Sequence, residues 1–513
     1  MSLPGLGLEE PEEVHTVETA QHDLAKETEW RFEVAVGKYT QVKLLTGSAE
    51  LFGTELVVGN TYTFTGTKAA IYTWNGCSFE VTGDALQSEY TAEETPMSEY
   101  INVHFALENL RVQAQAAGRE GPRVLILGPE NAGKTSLAKI LIGYASRSAR
   151  SPVVVNLDVK EGVMSIPGTL TATVFKTLMD VEEGWGTAPM SGPNGAIPVK
   201  LPLVYFFGSS KPQEKEGKVY KAQINRLALA VAGRRAQDAE ARESGMIIDT
   251  PGSLTTLKAG STVGYDIIQD MISEFAVSVV ICMGSERLYS DMVKKFDGQP
   301  TVFRPSLSTA TTLSAAPETI SVIKLAKSGG CVDRDEAYMT AFRAAQIKTY
   351  FYGNPRLSNG ISLQPRHQQV DFSTLTVWRR VGTTPDPSSA TAAANADEDE
   401  EDSFLPGGAG DDADDNTSPY SMSKVPLPES QIFERITAPI AAMRSSVLAV
   451  MNCEGEAEQE VIRDSTVMGF LYVTDTDEVR GRISLLSPVA GRVPSRAIVW
   501  AGWPEGVIGL ERT

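Results

Sequence analysis

The residues best equipped for chemistry are 128–135, Gly-Pro-Glu-Asn-Ala-Gly-Lys-Thr, which match the pattern GxxxxGK[ST]. An apolar strand-like run at 124–127 leads into them, and a helix-forming stretch begins at Ser136. In that setting the backbone N–H groups of the loop surround phosphates, and the helix start adds partial positive charge. Lys134 is the residue that reaches the β and γ phosphates, and the Thr135 hydroxyl is placed for Mg²⁺. The expected cofactors are ATP and Mg²⁺, with Gly128, Asn131, Ala132, Gly133, Lys134, Thr135 and Ser136 as the cradle.

Two carboxylates stand at the carboxyl ends of apolar runs, where ligands of open α/β sheets gather. Asp158 closes Val-Val-Val-Asn-Leu at 153–157, and Asp249 follows Met-Ile-Ile at 246–248. One would orient Mg²⁺ or its water shell, and the other would accept a proton from an attacking hydroxyl. Thr135 and Asp158 form the expected metal set. Asp249-Thr250-Pro251-Gly252 also resembles the DxxG switch of GTPases, but no Asn/Thr-Lys-x-Asp element follows to read guanine. A GTPase is therefore disfavoured.

The elements that must hold these residues fall into three groups. Across 27–89, Trp30, Phe32 and Val34 alternate with charged residues. Further β-branched and aromatic runs at 62–64 and 70–74 are punctuated by closely spaced glycines. This predicts a small antiparallel sandwich. A helix follows, with Ile101, Phe105, Leu107 and Leu110 as its apolar positions. From Gly121, short apolar runs at 124–127, 153–155, 204–207, 246–248 and 277–281 read as strands buried on both faces of a parallel sheet, with a helix at 218–237. Strands resume around 370–377, 446–450, 468–473 and 483–487. The predicted fold class is α/β: a central P-loop doubly wound parallel sheet flanked by an N-terminal β-sandwich and a C-terminal mainly β domain. The expected bounds are 24–99, 100–353 and 354–513. The stretch 383–428, rich in Ala, Ser, Pro and Gly and carrying eleven acids, ten of them within 397–415, is expected to be a disordered spacer.

Composition sets outer limits. A chain of 513 residues suggests about three domains. A net charge of −19 argues against a protein that coats nucleic acid, though not against a small basic pocket for one nucleic-acid end. Cys77, Cys282, Cys331 and Cys453 are too scattered for a disulfide framework or a zinc site. Residues 1–13 lack the charged and apolar regions of a secretory signal, and no run of eighteen apolar residues occurs. The expectation is a soluble intracellular protein with no membrane contact.

Several motifs together resemble the polynucleotide 5′-hydroxyl kinase family, in its branch of ATP-binding subunits of the eukaryotic mRNA cleavage and polyadenylation factor, of fungal type. They are Glu27-Thr28-Glu29-Trp30-Arg31-Phe32-Glu33, Leu44-Leu45-Thr46-Gly47, Phe52-Gly53-Thr54-Glu55-Leu56, the P-loop, Leu157-Asp158-Val159, Ser165-Ile166-Pro167-Gly168, Glu286-Arg287-Leu288-Tyr289, Lys327-Ser328-Gly329-Gly330 and Tyr350-Phe351-Tyr352-Gly353. The resemblance implies a kinase-like domain clasped between β-rich ends, with Glu29 and Lys68 on the adenine side of the nucleotide. It implies protein partners within the cleavage and polyadenylation factor, a monomer inside that hetero-complex, weak RNA contact and residence in the nucleus.

It also implies a lid helix after Lys-Ser-Gly-Gly that bears several arginines. Here Arg334 and Arg343 remain, while Met339, Thr340 and Gln346 stand where more would be expected. An arginine on the transferring group is worth roughly 10³–10⁵ in rate. Active relatives carry Asp-x-x-Gln-Gly where this chain has Asp158-Val159-Lys160-Glu161-Gly162, and a base-clamping tryptophan where it has Ser253. Asp158, the general base the resemblance implies, is present. The expectation is an ATP-binding subunit of pre-mRNA 3′-end processing, a nucleotide-dependent scaffold with a degenerate kinase site. The alternative is an active polynucleotide 5′-hydroxyl kinase, with Asp158, Arg334 and Arg343 catalytic.

Overall fold

The computed structural model describes residues 19–83, 86–185, 201–256, 262–301, 318–358, 360–381 and 431–510. Strands with continuous apolar runs need cover on both faces, and the central seven-stranded sheet supplies it. From edge to edge its order is Leu203–Phe206, Thr169–Val174, Val153–Asn156, Met246–Asp249, Arg123–Leu127, Val279–Met283, Ser321–Leu325. Leu125, Val155 and Ile248 pack on one face with the helices Lys218–Gln237 and Val263–Glu274. Val124, Val154 and Ile247 pack on the other with Met97–Ala116 and Lys134–Arg147. The last five strands of the order are mutually parallel, whereas Thr169–Val174 and Leu203–Phe206 join antiparallel. The run at 204–207 is thus an edge strand that points the same way as the five but is hydrogen-bonded only to the reversed strand Thr169–Val174. Two strands carry no continuous apolar run and escaped the sequence reading: the threonine-alternating Thr169–Val174 and the partly exposed edge Ser321–Leu325.

The N-terminal strands form a four-stranded and a five-stranded sheet around Trp30, Phe32, Leu44, Phe64 and Phe79. Trp30 stacks on Phe32 with ring centroids 4.6 Å apart, and Phe64 meets Phe32 edge-on at 5.2 Å. The alternation read at 30–34 is real, but Glu29 and Arg31 between those apolar residues are also buried. Their face of the strand carries polar contacts to a neighbouring loop.

The helix Met97–Ala116 exists, yet its inward stripe is Tyr100, Val103, His104, Leu107, Arg111 and Ala114. Of the four apolar residues expected to anchor it, only Leu107 is buried, and Phe105 and Leu110 face solvent. Polar residues can take the inner positions where partners wait for them. Arg111 Nε donates to the Ser244 carbonyl at 3.0 Å. Burial, then the positive charge of Arg111, pushes the His104 imidazole down to about 4. A free histidine titrates near 6.5. His104 is therefore neutral when folded, and its contribution to stability is complete above pH ~6.5 and is lost as pH falls toward about 4. The melting temperature should drop across that window, and His104→Gln should flatten the slope there. An unchanged slope would assign the acid sensitivity elsewhere.

The C-terminal sheet also has seven strands, in the order Arg366–Asp371, Arg482–Ser487, Val467–Asp477, Val447–Glu454, Arg496–Trp500, Thr376–Arg380, Phe433–Ile436. The residues 370–377 read as one β region belong to two strands far apart in this sheet, separated by the 3₁₀ turn Phe372–Thr374. The acidic stretch at 383–428 lies outside the described residues.

Specific contacts join the three parts. The Glu182 carboxylate accepts from the backbone N–H of Thr63 at 2.5 Å and from that of Ser358 at 2.7 Å. Phe470 packs edge-on against Phe206, 6.0 Å between centroids. All four cysteines are free. Among the described residues, no helix is long and apolar enough to cross a membrane.

Candidate functional site

Three adjacent parallel strands place the chemistry. Arg123–Leu127 sits beside Met246–Asp249, which sits beside Val153–Asn156, with Ile126 and Asn156 both in register with Asp249. All three chains therefore leave the sheet at the same edge. The first continues into the P-loop, the second ends on Asp249, and the third reaches Asp158 two residues on. The P-loop turns through Asn131 (φ 55°) and Gly133 (φ 86°) before the helix Lys134–Arg147 begins. At Gly133 a side chain is excluded twice: by the left-handed backbone, and because a Cβ would lie 2.7 Å from the Cys331 Sγ.

A pocket of about 250 Å³ opens over this loop. Its wall includes Glu29, Lys68, Asn131, Ala132, Gly133, Lys134, Thr135, Ser136, Asp158, Arg334 and Arg343, residues drawn from all parts of the sequence reading. Gly128 is not on the wall; it packs behind, where a Cβ would come 2.8 Å from the Met283 carbonyl oxygen. Lys134 is buried, and its ammonium donates to the Pro129 carbonyl at 2.8 Å.

Sequence reasoning missed the apolar side of the pocket, formed by Phe52, Tyr72, Met97 and Tyr100. These read as ordinary core residues, and nothing in their spacing marks them. Glu29 and Lys68 stand on this side with engaged charges. The Glu29 carboxylate accepts from Arg31 Nε at 2.5 Å and from the Thr95 hydroxyl at 2.9 Å. The Lys68 ammonium meets Glu33 at 2.6 Å and lies 5.0 Å from the Tyr338 ring centre. Arg31 also explains Gly329-Gly330, since a Cβ on Gly330 would lie 2.8 Å from the Arg31 Nε.

The carboxylates divide differently from the expected metal set. The Thr135 hydroxyl donates to Asp249 at 2.5 Å, whereas Asp158 accepts the Lys160 backbone N–H at 2.9 Å. Burial pushes Asp249 up to about 6 against the opposing pull of Lys134 and Thr135. Burial, reinforced by the charge of Glu161, pushes the half-buried Asp158 up to about 7. Burial would raise Glu161 as well, but Arg334 outweighs it and holds that carboxyl below its usual range. Among the described residues no cluster of three or more His, Cys, Asp or Glu is poised to hold a metal. Mg²⁺ does not require one, because it is commonly held by one or two protein groups together with phosphates and water.

The lid helix Glu336–Tyr352 has its two expected arginines already paired. Arg334, just before it, donates through Nη2 to Glu161 at 2.5 Å and through Nε to Asn131 of the P-loop at 3.0 Å. Arg343 is almost fully buried, donates to Glu336 at 2.5 Å and from Nε to Glu505 at 2.7 Å, and lies 4.6 Å from the Trp503 ring centre. Gln346 exchanges two hydrogen bonds with the Gly162 backbone, at 2.7 and 3.2 Å. Met339 is buried. Ser253 lies on the 3₁₀ turn Gly252–Leu254, its carbonyl accepting from Gln213 at 2.8 Å.

Family comparisons cover most of the chain. Residues 23–114 match the family model described as the N-terminal beta-sandwich domain of polyadenylation factor. Residues 128–317 match mRNA cleavage and polyadenylation factor CLP1 P-loop, and residues 363–505 match pre-mRNA cleavage complex II protein Clp1. The mRNA cleavage and polyadenylation factor clp1 of Aspergillus oryzae is 47% identical, the match covering 99% of this chain and 100% of the relative. The chain belongs to the Clp1 family. Its Clp1 relative in Aspergillus niger is 49% identical over 97% of this chain and 98% of its own length, and that of Coccidioides immitis 47% over 99% and 100%. A solved Clp1p–Pcf11p complex shares the fold with a TM-score of 0.73 at 24% identity, covering 95% of this chain and 98% of that one. A second Clp1p structure with the same scores is described by an extended interface with Pcf11p and by the basis for ATP loss in a point mutant.

Proposed function

We propose that this Clp1 family member is the ATP-binding subunit of the nuclear pre-mRNA cleavage and polyadenylation machinery, and that it holds ATP rather than spending it. Relatives named for mRNA cleavage and polyadenylation, matched end to end at 47% identity, support the process. One observation carries the holding role. Both arginines near the lid are committed to protein carboxylates, Arg334 to Glu161 and Arg343 to Glu336 and Glu505. A transferring phosphoryl group would find neither one free.

In this reading Lys134 and the P-loop backbone bind the triphosphate, Thr135 and Asp249 hold Mg²⁺ with Asp158 beside them, and the apolar wall at Tyr72 and Tyr100 takes the adenine between Glu29 and Lys68. Mg²⁺ would neutralise charge between the β and γ phosphates. The lid helix touches the P-loop through Arg334 and Asn131, the sandwich through Tyr338 (whose hydroxyl donates to the Gly66 carbonyl at 3.0 Å), and the C-terminal part through Arg343 and Glu505. A nucleotide under that helix would brace all three parts, presenting one rigid surface to protein partners of the complex.

The experiment is to identify the nucleotide released when the purified protein is denatured, and to assay transfer from γ-labelled ATP to a 5′-hydroxyl RNA oligonucleotide. Intact ATP with no transfer above background is expected. Transfer at ordinary kinase rates of 1–100 s⁻¹ would establish the alternative of an active kinase. Asp158 gives that alternative its support, because a carboxyl near 7 suits a general base.

A further inference from the structure

The Arg334–Glu161 pair lies at a particular end of the pocket. Lys134 is the residue placed for the β and γ phosphates, and its charge acts on Glu161 and Asp158 together. Arg334 touches the crown of the P-loop through Asn131, so its guanidinium and the Glu161 carboxylate stand at the γ end. Both side chains are largely withdrawn from water, at 27% and 15% exposure. Their attraction is therefore weakly screened. Glu161 takes Nη2, Asn131 takes Nε, and Glu161 sets a negative charge on the pocket wall beside the residues that would meet a third phosphate.

We propose that Glu161 is an internal competitor for the terminal phosphate, and that by holding Arg334 it sets how strongly the site prefers a triphosphate to a diphosphate. This rests on the ATP-holding role above and names the residue that tunes it. A γ-phosphate must share or displace the carboxylate on Arg334, whereas a diphosphate stops one group short and meets little of this competition. The pocket thereby gives up part of its triphosphate preference. If Arg334 spends about nine-tenths of its time on Glu161, the γ-phosphate contact is weakened about tenfold. Gln346 keeps the backbone of Gly162, the neighbour of Glu161, fixed to the lid helix from the other side. The backbone that carries the carboxylate is therefore anchored to the lid helix.

The test measures affinities of the full chain for Mg²⁺–ATP and Mg²⁺–ADP by calorimetry, in the wild type, Glu161→Gln, Arg334→Met and the double variant. Glu161→Gln keeps the shape and a hydrogen-bond acceptor for Arg334 but removes the charge. It should raise the ATP-over-ADP ratio about tenfold, chiefly through ATP. In the Arg334→Met background the same change should lose most of that effect, which a purely structural role for Glu161 would not produce. An unchanged ratio in Glu161→Gln, or an equal rise without Arg334, would overturn the proposal. Failure of the wild type to bind either nucleotide would instead overturn the function proposed above. Melting curves taken without nucleotide show whether each variant is folded.

Discussion

Lys134→Ala should lower ATP affinity by roughly 2–5 kcal/mol, the usual cost of truncating one member of a buried, hydrogen-bonded charge pair. That corresponds to roughly 30-fold to several-thousand-fold in Kd. The reason is local. Lys134 is 7% exposed, its ammonium rests on the Pro129 carbonyl, and nothing else on the P-loop can replace a point charge aimed at two phosphates. Thermal stability separates this loss from misfolding. A ligand at 100 times its Kd stabilises the folded state by about 2.7 kcal/mol. Saturating Mg²⁺–ATP should therefore raise the melting temperature of the wild type and leave Lys134→Ala nearly unmoved, while the two proteins melt alike without nucleotide. If bound ATP braces the domains, capture of protein partners should weaken in parallel. Equal stabilisation of both proteins by ATP would remove the P-loop from the binding account.

Arg343→Met should destabilise the fold by about 3 kcal/mol, with its main signature in melting rather than in nucleotide affinity. Removing one member of a buried ion pair typically costs about 3–5 kcal/mol, because the other charge is left without its partner. The lower end applies because Glu505 is 30% exposed and Glu336 is largely in water, so both can be rehydrated. The planar guanidinium also faces the Trp503 ring, which an ammonium would satisfy less well, so Arg343→Lys should rescue only part of the loss. The measurement is the denaturation free energy together with ATP affinity in the same samples. A normal melting curve with lost ATP binding would return Arg343 to the phosphate-binding role that its position in the sequence suggested.

The contrast between these two residues shows where sequence reading succeeds. Lys134 is legible because the phosphate cradle is built from contiguous residues, so its geometry is set by a short backbone path and the helix that follows. Arg343 sits on the pocket wall as expected, yet its partners are Glu336 about two turns back on the same helical face and Glu505 more than 160 residues later. No spacing rule links 343 to 505. The same limit explains Asp249. Both carboxylates were visible as strand-end acids, but which of them meets the Thr135 hydroxyl depends on strand order, and Met246–Asp249 lies directly beside the P-loop strand. The helix Met97–Ala116 adds a further case, since its existence was readable while its buried face was decided by partners for His104 and Arg111.

By itself the sequence determined the three-part α/β architecture, the parallel core strands and the nucleotide cradle. Each of these follows from local periodicity or contiguous motif, where neighbouring residues carry the physical constraint. The tertiary structure alone decided how the charges are spent. It paired Arg334 with Glu161, drew Arg343 to Glu505 and Trp503, and set the apolar wall of Phe52, Tyr72, Met97 and Tyr100 against the P-loop. Electrostatic and packing energies depend on distance in space. Whether a lid arginine faces a phosphate or a carboxylate is settled only when the chain has brought both within reach.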